Sequence, residues 1–313
     1  MTAGLLTIAH GPHRYIRMAE ALALSYRRWN PSRPICVVTD AANVERLRAY
    51  FDVVTILDES SGAKGTSQKF LIDRYTPFDE TLFVDSDCLF YRDPALTWDA
   101  YAVGDFVVKG WRYLRPEDRH ANVGDLRTLL LQTGVGRMGS FNSGLLYFRK
   151  SELTARLFAT TRELFARRNE LALRKFKNSP VAHEPLLAIA MELCGIEFHP
   201  WDAATGQETW VDMGDMRAVN VLRGESRVVK HGKTVEPAVI HYNVGGQMSL
   251  AYLRDIFRLS YEGQPLAEMR ARIAASCLRG WYVAETKRRT MRRRDRRAPA
   301  SPAVPRSAER ATA

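Results

Sequence analysis

The chain is poor in the features that mark stapled, membrane-spanning or thiolate-metal proteins. Its 313 residues hold four cysteines, Cys36, Cys88, Cys194 and Cys277, with no Cys-x-x-Cys spacing. That scatter speaks against a disulfide framework and a thiolate zinc site, and three of the four sit in apolar stretches where a reduced thiol packs as a small hydrophobe. No segment approaches the roughly 18 to 20 consecutive apolar residues that span a bilayer. The opening MTAGLLTIAHGPHRY has neither the basic start nor the long apolar core of a secretory signal. Together these absences predict a soluble, cytoplasmic protein, or one resting peripherally on the inner face of a membrane.

Charge is plentiful but unevenly placed. The formal net charge is +11, and residues 287–297, KRRTMRRRDRR, carry eight basic side chains against one Asp. A surplus held in a tail argues against a nucleic-acid partner, which needs a basic face on a folded surface. The run could touch anionic membrane or acidic polymer, or be a solvated tail with no partner. The Ala/Pro/Ser-rich stretch after it cannot bury enough apolar surface to order itself. The expected organisation is a catalytic domain over 1–250, a helical extension over 251–286 and a basic, disordered tail over 287–313.

The first third alternates strand and helix patterns. LLTIA (5–9) is a short apolar run, and Ile16, Ala19, Leu22, Ala23 and Tyr26 then recur at helical spacing between His13 and Trp29. ICVVTD (35–40), a short helix at 44–50, DVVTIL (52–57), a helix at 67–75 and TLFVDSD (81–87) follow. Strands and helices of this length predict an α/β fold with a mostly parallel central sheet flanked by helices. Further strands are expected at 105–111, 140–150, 196–201, 218–222 and 238–243, with helices at 152–170, around 183–195 and through most of 248–285; 112–137 reads as looser chain. Ligands of such sheets bind beyond the carboxyl ends of the strands.

FVDSDCLF places Asp85 and Asp87 at such an end. Two hard oxygen ligands two residues apart suit Mn²⁺ or Mg²⁺, which would neutralise a diphosphate. The plainer alternative is that one aspartate caps a turn while the other is solvated.

With these residues in place, the chain resembles the GT-A glycosyltransferases, a Rossmann-like nucleotide-diphospho-sugar transferase fold, and among them the family 8 type of glycogenin and bacterial lipopolysaccharide galactosyltransferases. The opening LLTIAHGPHRYIRMAEALALSYRR with PICVVTD looks like that family's nucleotide-carrying first unit. FVDSDCLFYRDP looks like its metal-binding strand and turn, and FNSGLLYF (141–148) like its Asn-Ser-Gly strand beside the donor sugar. The resemblance covers about residues 4–250. It implies a hexosyltransferase using a nucleotide-sugar donor, a UDP-sugar by analogy; the richness in Arg and Ala suggests a high-GC bacterial source, and with it polysaccharide or glycolipid assembly. The acceptor would be a glycan, a glycolipid or a protein. Thr7, Ala9 and Tyr15 would line the nucleotide, while Lys69, Asp85, Ser86, Ser143 and Gly144 would face the rest of the donor. Asp85, Asp87 and His241 would hold the ion, and Asn142 and Glu184 would act on the sugar. Retention of anomeric configuration is the outcome the resemblance favours.

Departures from that pattern are local. In VIHYNVGG, Val244 replaces a glycine and Gln247 stands where the family has a lysine; in HEPLLA the acid has moved to Glu184, beside His183. Glu184 could orient the sugar, act as a base or stabilise positive charge at the anomeric carbon, or be an acid in a helix's first turn. Asn142-Ser143-Gly144 could equally form a bulge or turn. Trp111, Tyr113, Trp201 and Trp210 are aromatic candidates for an acceptor groove, the first two foremost. Two rivals remain open: a nucleotidyltransferase, weakened by the lone Gly11 where a Gly-rich triphosphate loop would stand, and a non-catalytic peripheral binding protein.

Overall fold

The computed structural model describes residues 2–29, 32–176, 179–201, 211–212, 215–230, 232–243 and 249–262, with isolated positions at 271, 274, 275 and 278. The basic run, Cys277, Trp210, Val244 and Gln247 lie outside the described residues.

The chain opens with β1 (Ala3–Ile8), which feeds α1 (His13–Trp29). The helix forms where the periodicity predicted it, and Ile16, Ala19, Leu22, Ala23 and Tyr26 are all buried on its sheet-facing side. β2 (Ile35–Thr39) is β-rich and buried throughout. It leads through α2 (Val44–Leu47) to β3 (Val53–Ile56). The segment expected as one helix over 67–75 divides into a 3₁₀ stretch, Gly65–Leu71, and a single turn, α3 (Ile72–Tyr75). β4 (Glu80–Val84) stops before the aspartates, and a turn separates it from β5 (Cys88–Phe90).

Beyond α4 (Ala95–Tyr101), β6 (Phe106–Leu114) is longer than expected. The stretch read as loose contains α5 (Leu126–Thr133), capped by the Asp125 carboxylate on Thr128 N–H and ended by Gly134 in the left-handed region. β7 (Met138–Arg149), α6 (Glu152–Ala166) and α7 (His183–Leu193) follow, α6 ending one turn short of the expected residue 170. The strand expected over 196–201 shrinks to β8 (His199–Pro200). Later pieces are β9 (Val211–Asp212), β10 (Asp215–Asn220), β11 (Glu225–Lys230), β12 (Lys233–Val235), β13 (Val239–His241) and α8 (Leu250–Ser260).

Seven strands form the central sheet in the order β3-β2-β1-β4-β7-β6-β8. The pairs β3/β2, β2/β1, β1/β4 and β6/β8 are parallel, whereas β7 runs antiparallel to both β4 and β6. The sheet is therefore mostly parallel with one strand reversed, a direction that hydrophobic alternation does not encode. Its two faces bury separate cores. α1 covers one with Leu5, Val37, Leu82 and Val84, while α6 and α7 cover the other with Leu6, Val38, Phe83 and Leu146. A second sheet, β5-β13-β9, packs against α1 and α8 and pairs the strand after the aspartates with the one that ends in His241. β10, β11 and β12 make a separate antiparallel sheet.

Candidate functional site

Backbone ties build the site before any side chain is considered. Asp85 leaves β4 with its N–H donating to Gly144 O at 2.8 Å, and Cys88 N–H closes the turn on Asp85 O at 3.0 Å. Tyr242 N–H donates to Asp87 O at 3.0 Å, and β5 pairs with β13 so that Cys88 stands opposite His241. The imidazole is thereby delivered to the carboxylates, with Nε2 3.1 Å from Asp87 Oδ1 and 3.7 Å from Asp85 Oδ2. Ser86 occupies the turn between the aspartates. A side chain at 144 would destroy the arrangement, because a Cβ there would stand 2.3 Å from His241 Cε1.

Lys69 lies in the last turn of the 3₁₀ stretch, with its ammonium 2.7 Å from Asp85 Oδ1 and 3.3 Å from Ser143 O. Its side chain is 11% exposed, so the pair is largely screened from water. The Asn-Ser-Gly segment forms the irregularity the sequence left open. Gly110 pairs with Phe141 and Val108 with Leu146, so four residues of β7 bulge opposite Lys109. Asn142 Oδ1 holds that bulge by accepting Gly144 N–H at 2.8 Å.

α7 presents its first turn to the same bulge. Glu184 Oε1 accepts Ser143 N–H at 3.0 Å, and a His183 ring nitrogen shares a short hydrogen bond with Ser143 Oγ. Burial pushes the Glu184 carboxyl above the ordinary glutamate range; the Ser143 N–H and the Lys69 charge oppose this, and Asp85 reinforces it. Nothing in the sequence assigns His183 a task. Its contact with Ser143 joins chain segments 40 residues apart, a pairing no local pattern carries.

Asp85, Asp87, His241, Lys69, Asn142, Ser143, Gly144 and Glu184 thus meet at the carboxyl edge of β4. The β1 side is less direct. Thr7 is fully buried within the sheet, and Ala9 is tied by its N–H to Val38 O at 2.9 Å. Tyr15 is half-buried, its hydroxyl accepting from Arg14 Nη2 at 2.7 Å. Asp40, which the sequence reading passed over, binds Gly11 N–H at 2.7 Å at the end of β2. Of the aromatics, Trp111 is 41% exposed. Tyr113 is committed to packing, 4.6 Å from the Phe198 ring and under the Arg137 guanidinium at 3.7 Å. Trp201 is half-buried, its N–H on Gly110 O at 2.8 Å.

The donor set suits a hard divalent ion. Bonds of about 2.1 Å in an octahedral shell set neighbouring ligand atoms roughly 3 Å apart, close to the 3.1 Å between Asp87 Oδ1 and His241 Nε2. Ligand atoms of Asp87, Cys88 and His241 also lie within 4.8 Å of one another. The Cys88 thiol is a soft ligand and points at Gly144 O, 3.9 Å away, so the second carboxylate of Asp85 completes a hard set better.

No protein-family model matches the chain, and no curated protein matches it. Solved structures do. The chain is similar to the WbbM bifunctional glycosyltransferase in its apo form, with a TM-score of 0.51 and 13% identity over 87% of this chain and 51% of that one. It also aligns with the galactosyltransferase LgtC, solved with donor and acceptor sugar analogues (TM-score 0.48, 13% identity, 77% of this chain, 87% of that one). A third is mouse xyloside xylosyltransferase 1 in its apo form (TM-score 0.45, 13% identity, 79% and 99%). The chain spans about half the length of WbbM. At such identities the likeness is one of architecture: the chain has the GT-A, Rossmann-like α/β fold found in glycosyltransferases.

Proposed function

We propose that the chain is a metal-dependent glycosyltransferase moving a hexose from a nucleotide-diphosphate donor, a UDP-sugar by analogy, to a glycan, glycolipid or protein acceptor. The observation that carries the reading is the meeting of Asp85, Asp87 and His241 at the carboxyl end of β4, with Gly144 leaving room for the imidazole. These three side chains would hold Mn²⁺ or Mg²⁺. The ion, when bound, supplies Lewis acidity and charge neutralisation for a departing diphosphate.

The chain's own groups divide the remaining work. Lys69 is placed to shift its attraction from Asp85 to phosphate oxygens, a preformed charge that needs little reorganisation. Asn142 uses its carbonyl oxygen on Gly144 N–H, which leaves its amide N–H groups to donate to sugar hydroxyls. Glu184 is held by Ser143 at fixed orientation behind the bulge, where its carboxylate can orient the sugar or stabilise positive charge at the anomeric carbon. Of the three residues expected along the nucleotide, Tyr15 is the one partly exposed on the β1–α1 side, while Thr7 and Ala9 are buried behind it and would shape that side only from within the sheet; Ser86 fronts the turn. Retention of configuration is the stereochemical outcome in this reading. Peripheral contact of residues 287–297 with anionic membrane belongs to the same proposal.

The test is binding and slow hydrolysis across a panel of nucleotide sugars, with Mn²⁺ or with chelator, for the intact chain and Asp87→Ala. One donor should be bound and hydrolysed only with the ion, and the substitution should lower this by about a hundredfold, as expected when a ligand that positions a catalytic ion is removed. A folded Asp87→Ala protein indistinguishable from the parent would sink the reading.

A further inference from the structure

The ribbon formed by the end of β6 and the start of β7 reaches past the last residue of β4. Val84 pairs with Leu145, whereas Gly110, Arg112, Tyr113 and Leu114 pair with Phe141 through Met138, farther along. β6 runs in the same direction as β4, so the ribbon projects over the edge that carries Asp85. Trp111 and Arg112 are exposed on it.

The chain leaving the ribbon is basic, and a distant segment adds to it. Arg174 N–H donates to Asn122 O at 3.0 Å and Gly124 N–H to Ala172 O at 2.8 Å, which joins the 115–124 loop to residues 172–175. Four residues on, Ser179 Oγ donates to Lys64 O at 3.0 Å, just ahead of the 3₁₀ stretch that carries Lys69. The same segment then enters α7 at His183 and Glu184. Exposed Lys64, Arg115, Arg119, Arg174 and Lys175 therefore share one rim, and none of them makes an ion pair among the described residues.

The imbalance is local. Residues 109–127, 172–176 and Lys64 hold eight basic side chains against three acids. Of the chain's 46 basic and 35 acidic residues, setting aside this rim and the 287–297 run leaves 30 against 31. A rim of cations without ion pairs, in a chain otherwise balanced in charge, is destabilised by self-repulsion unless an anion meets it. The donor's diphosphate is served by Lys69 and the ion site at the edge below. The exposed Trp111 adds an apolar face on which a sugar ring can lie.

Resting on the glycosyltransferase reading, we infer that this rim binds the acceptor and that the acceptor is an anionic saccharide, carrying carboxylate or phosphate groups. Those groups anchor without reacting. In the transfer, an acceptor hydroxyl bonds to the anomeric carbon and passes its proton to the departing diphosphate oxygen, while the bond from that carbon to the diphosphate breaks and its electron pair leaves with the diphosphate.

The experiment compares tetragalacturonate with its neutral methyl ester as probes of the full chain. A variant carrying Arg115→Glu, Arg119→Glu, Arg174→Glu and Lys175→Glu is measured alongside, so the 287–297 run is common to both. The acid should bind the parent about tenfold tighter than the ester or better, less so as salt rises, and the variant should lose that preference. Equal binding of the two probes, no binding of either, or a preference that survives in the variant overturns the inference. So does loss of binding to phosphatidylglycerol vesicles with the saccharide preference intact, which would assign the rim to a lipid surface. Should the reversals prevent folding, the corresponding Gln substitutions make the same comparison. Mn²⁺-dependent donor binding is measured in every sample; its absence from the parent rejects the enzyme reading, and its persistence in the variant isolates the rim.

Discussion

At the scale of single residues, Gly144 decides the site. Its backbone carbonyl holds the Asp85 N–H, and its missing side chain is the space the His241 ring fills. Gly144→Ala would press a methyl into the imidazole at 2.3 Å. Overpacking of this kind costs about 1–3 kcal/mol, because a dense core yields little. Urea unfolding should show that loss, and Mn²⁺ binding should vanish with it. Adding His241→Ala should restore stability without restoring metal binding; stability that stays low would place the clash elsewhere.

At the scale of elements, α8 acts as the backing plate of β13. Asp255, fully buried on α8, accepts from Tyr91 Oη at 2.8 Å and from Arg258, and Tyr91 Oη meets Tyr242 Oη at 2.6 Å. Tyr242 is the residue after His241, and its N–H is the one bound to Asp87 O. Burial raises the Asp255 pKa against the hydrogen bonds that lower it. Asp255→Ala would strand the partly buried Arg258 and leave the Tyr91 hydroxyl one partner short. We expect a loss of about 3 kcal/mol, against about 1 kcal/mol for Tyr91→Phe, read from denaturant midpoints at unchanged m-value. Both should weaken Mn²⁺ affinity. Full metal affinity in the destabilised Asp255→Ala protein would show that β13 holds its place unaided.

Elements also show what the sequence makes legible. α1 was readable from its apolar spacing, and the edge at Asp85 from a β-rich run ending in two acids. The reversed direction of β7 was not, since alternation looks the same from either end. α5 was missed although Asp125 and Gly134 are ordinary start and stop signals and Leu126, Leu129 and Leu130 recur at helical spacing; the exposed Leu131 interrupts its polar face and blurs the pattern. The aspartates were legible from the residues themselves, Lys69, Asn142 to Gly144 and His241 as candidates through the resemblance, and the bulge only as the alternative reading of Asn-Ser-Gly. The Lys69–Asp85 pair and the grip of His183 and Glu184 on Ser143 were not, because each joins segments that only the folded sheet brings together.

For the whole molecule, the separation of the site across distant segments makes ligand binding a property of the native state alone. Donor and Mn²⁺ together, at about a hundred times their joint dissociation constant, should stabilise the fold by about 2.7 kcal/mol. For a chain of this size that is a rise of several degrees in melting temperature. Donor with chelator should give little of it. Equal shifts with and without the ion would mean that the donor does not engage the carboxylate edge.

The small β5-β13 pairing has a further consequence in the order of synthesis. The aspartates leave the ribosome ahead of His241, which follows after about half of these 313 residues more have been made. A nascent chain therefore exposes two carboxylates with no imidazole beside them, and Lys69 is already close enough in sequence to neutralise one. Contacts of such long span form late, after the local units have settled. A site assembled this way is expected to form late in folding, and a chain stalled before His241 would hold the strands of the central sheet while its two aspartates lacked the imidazole beside them.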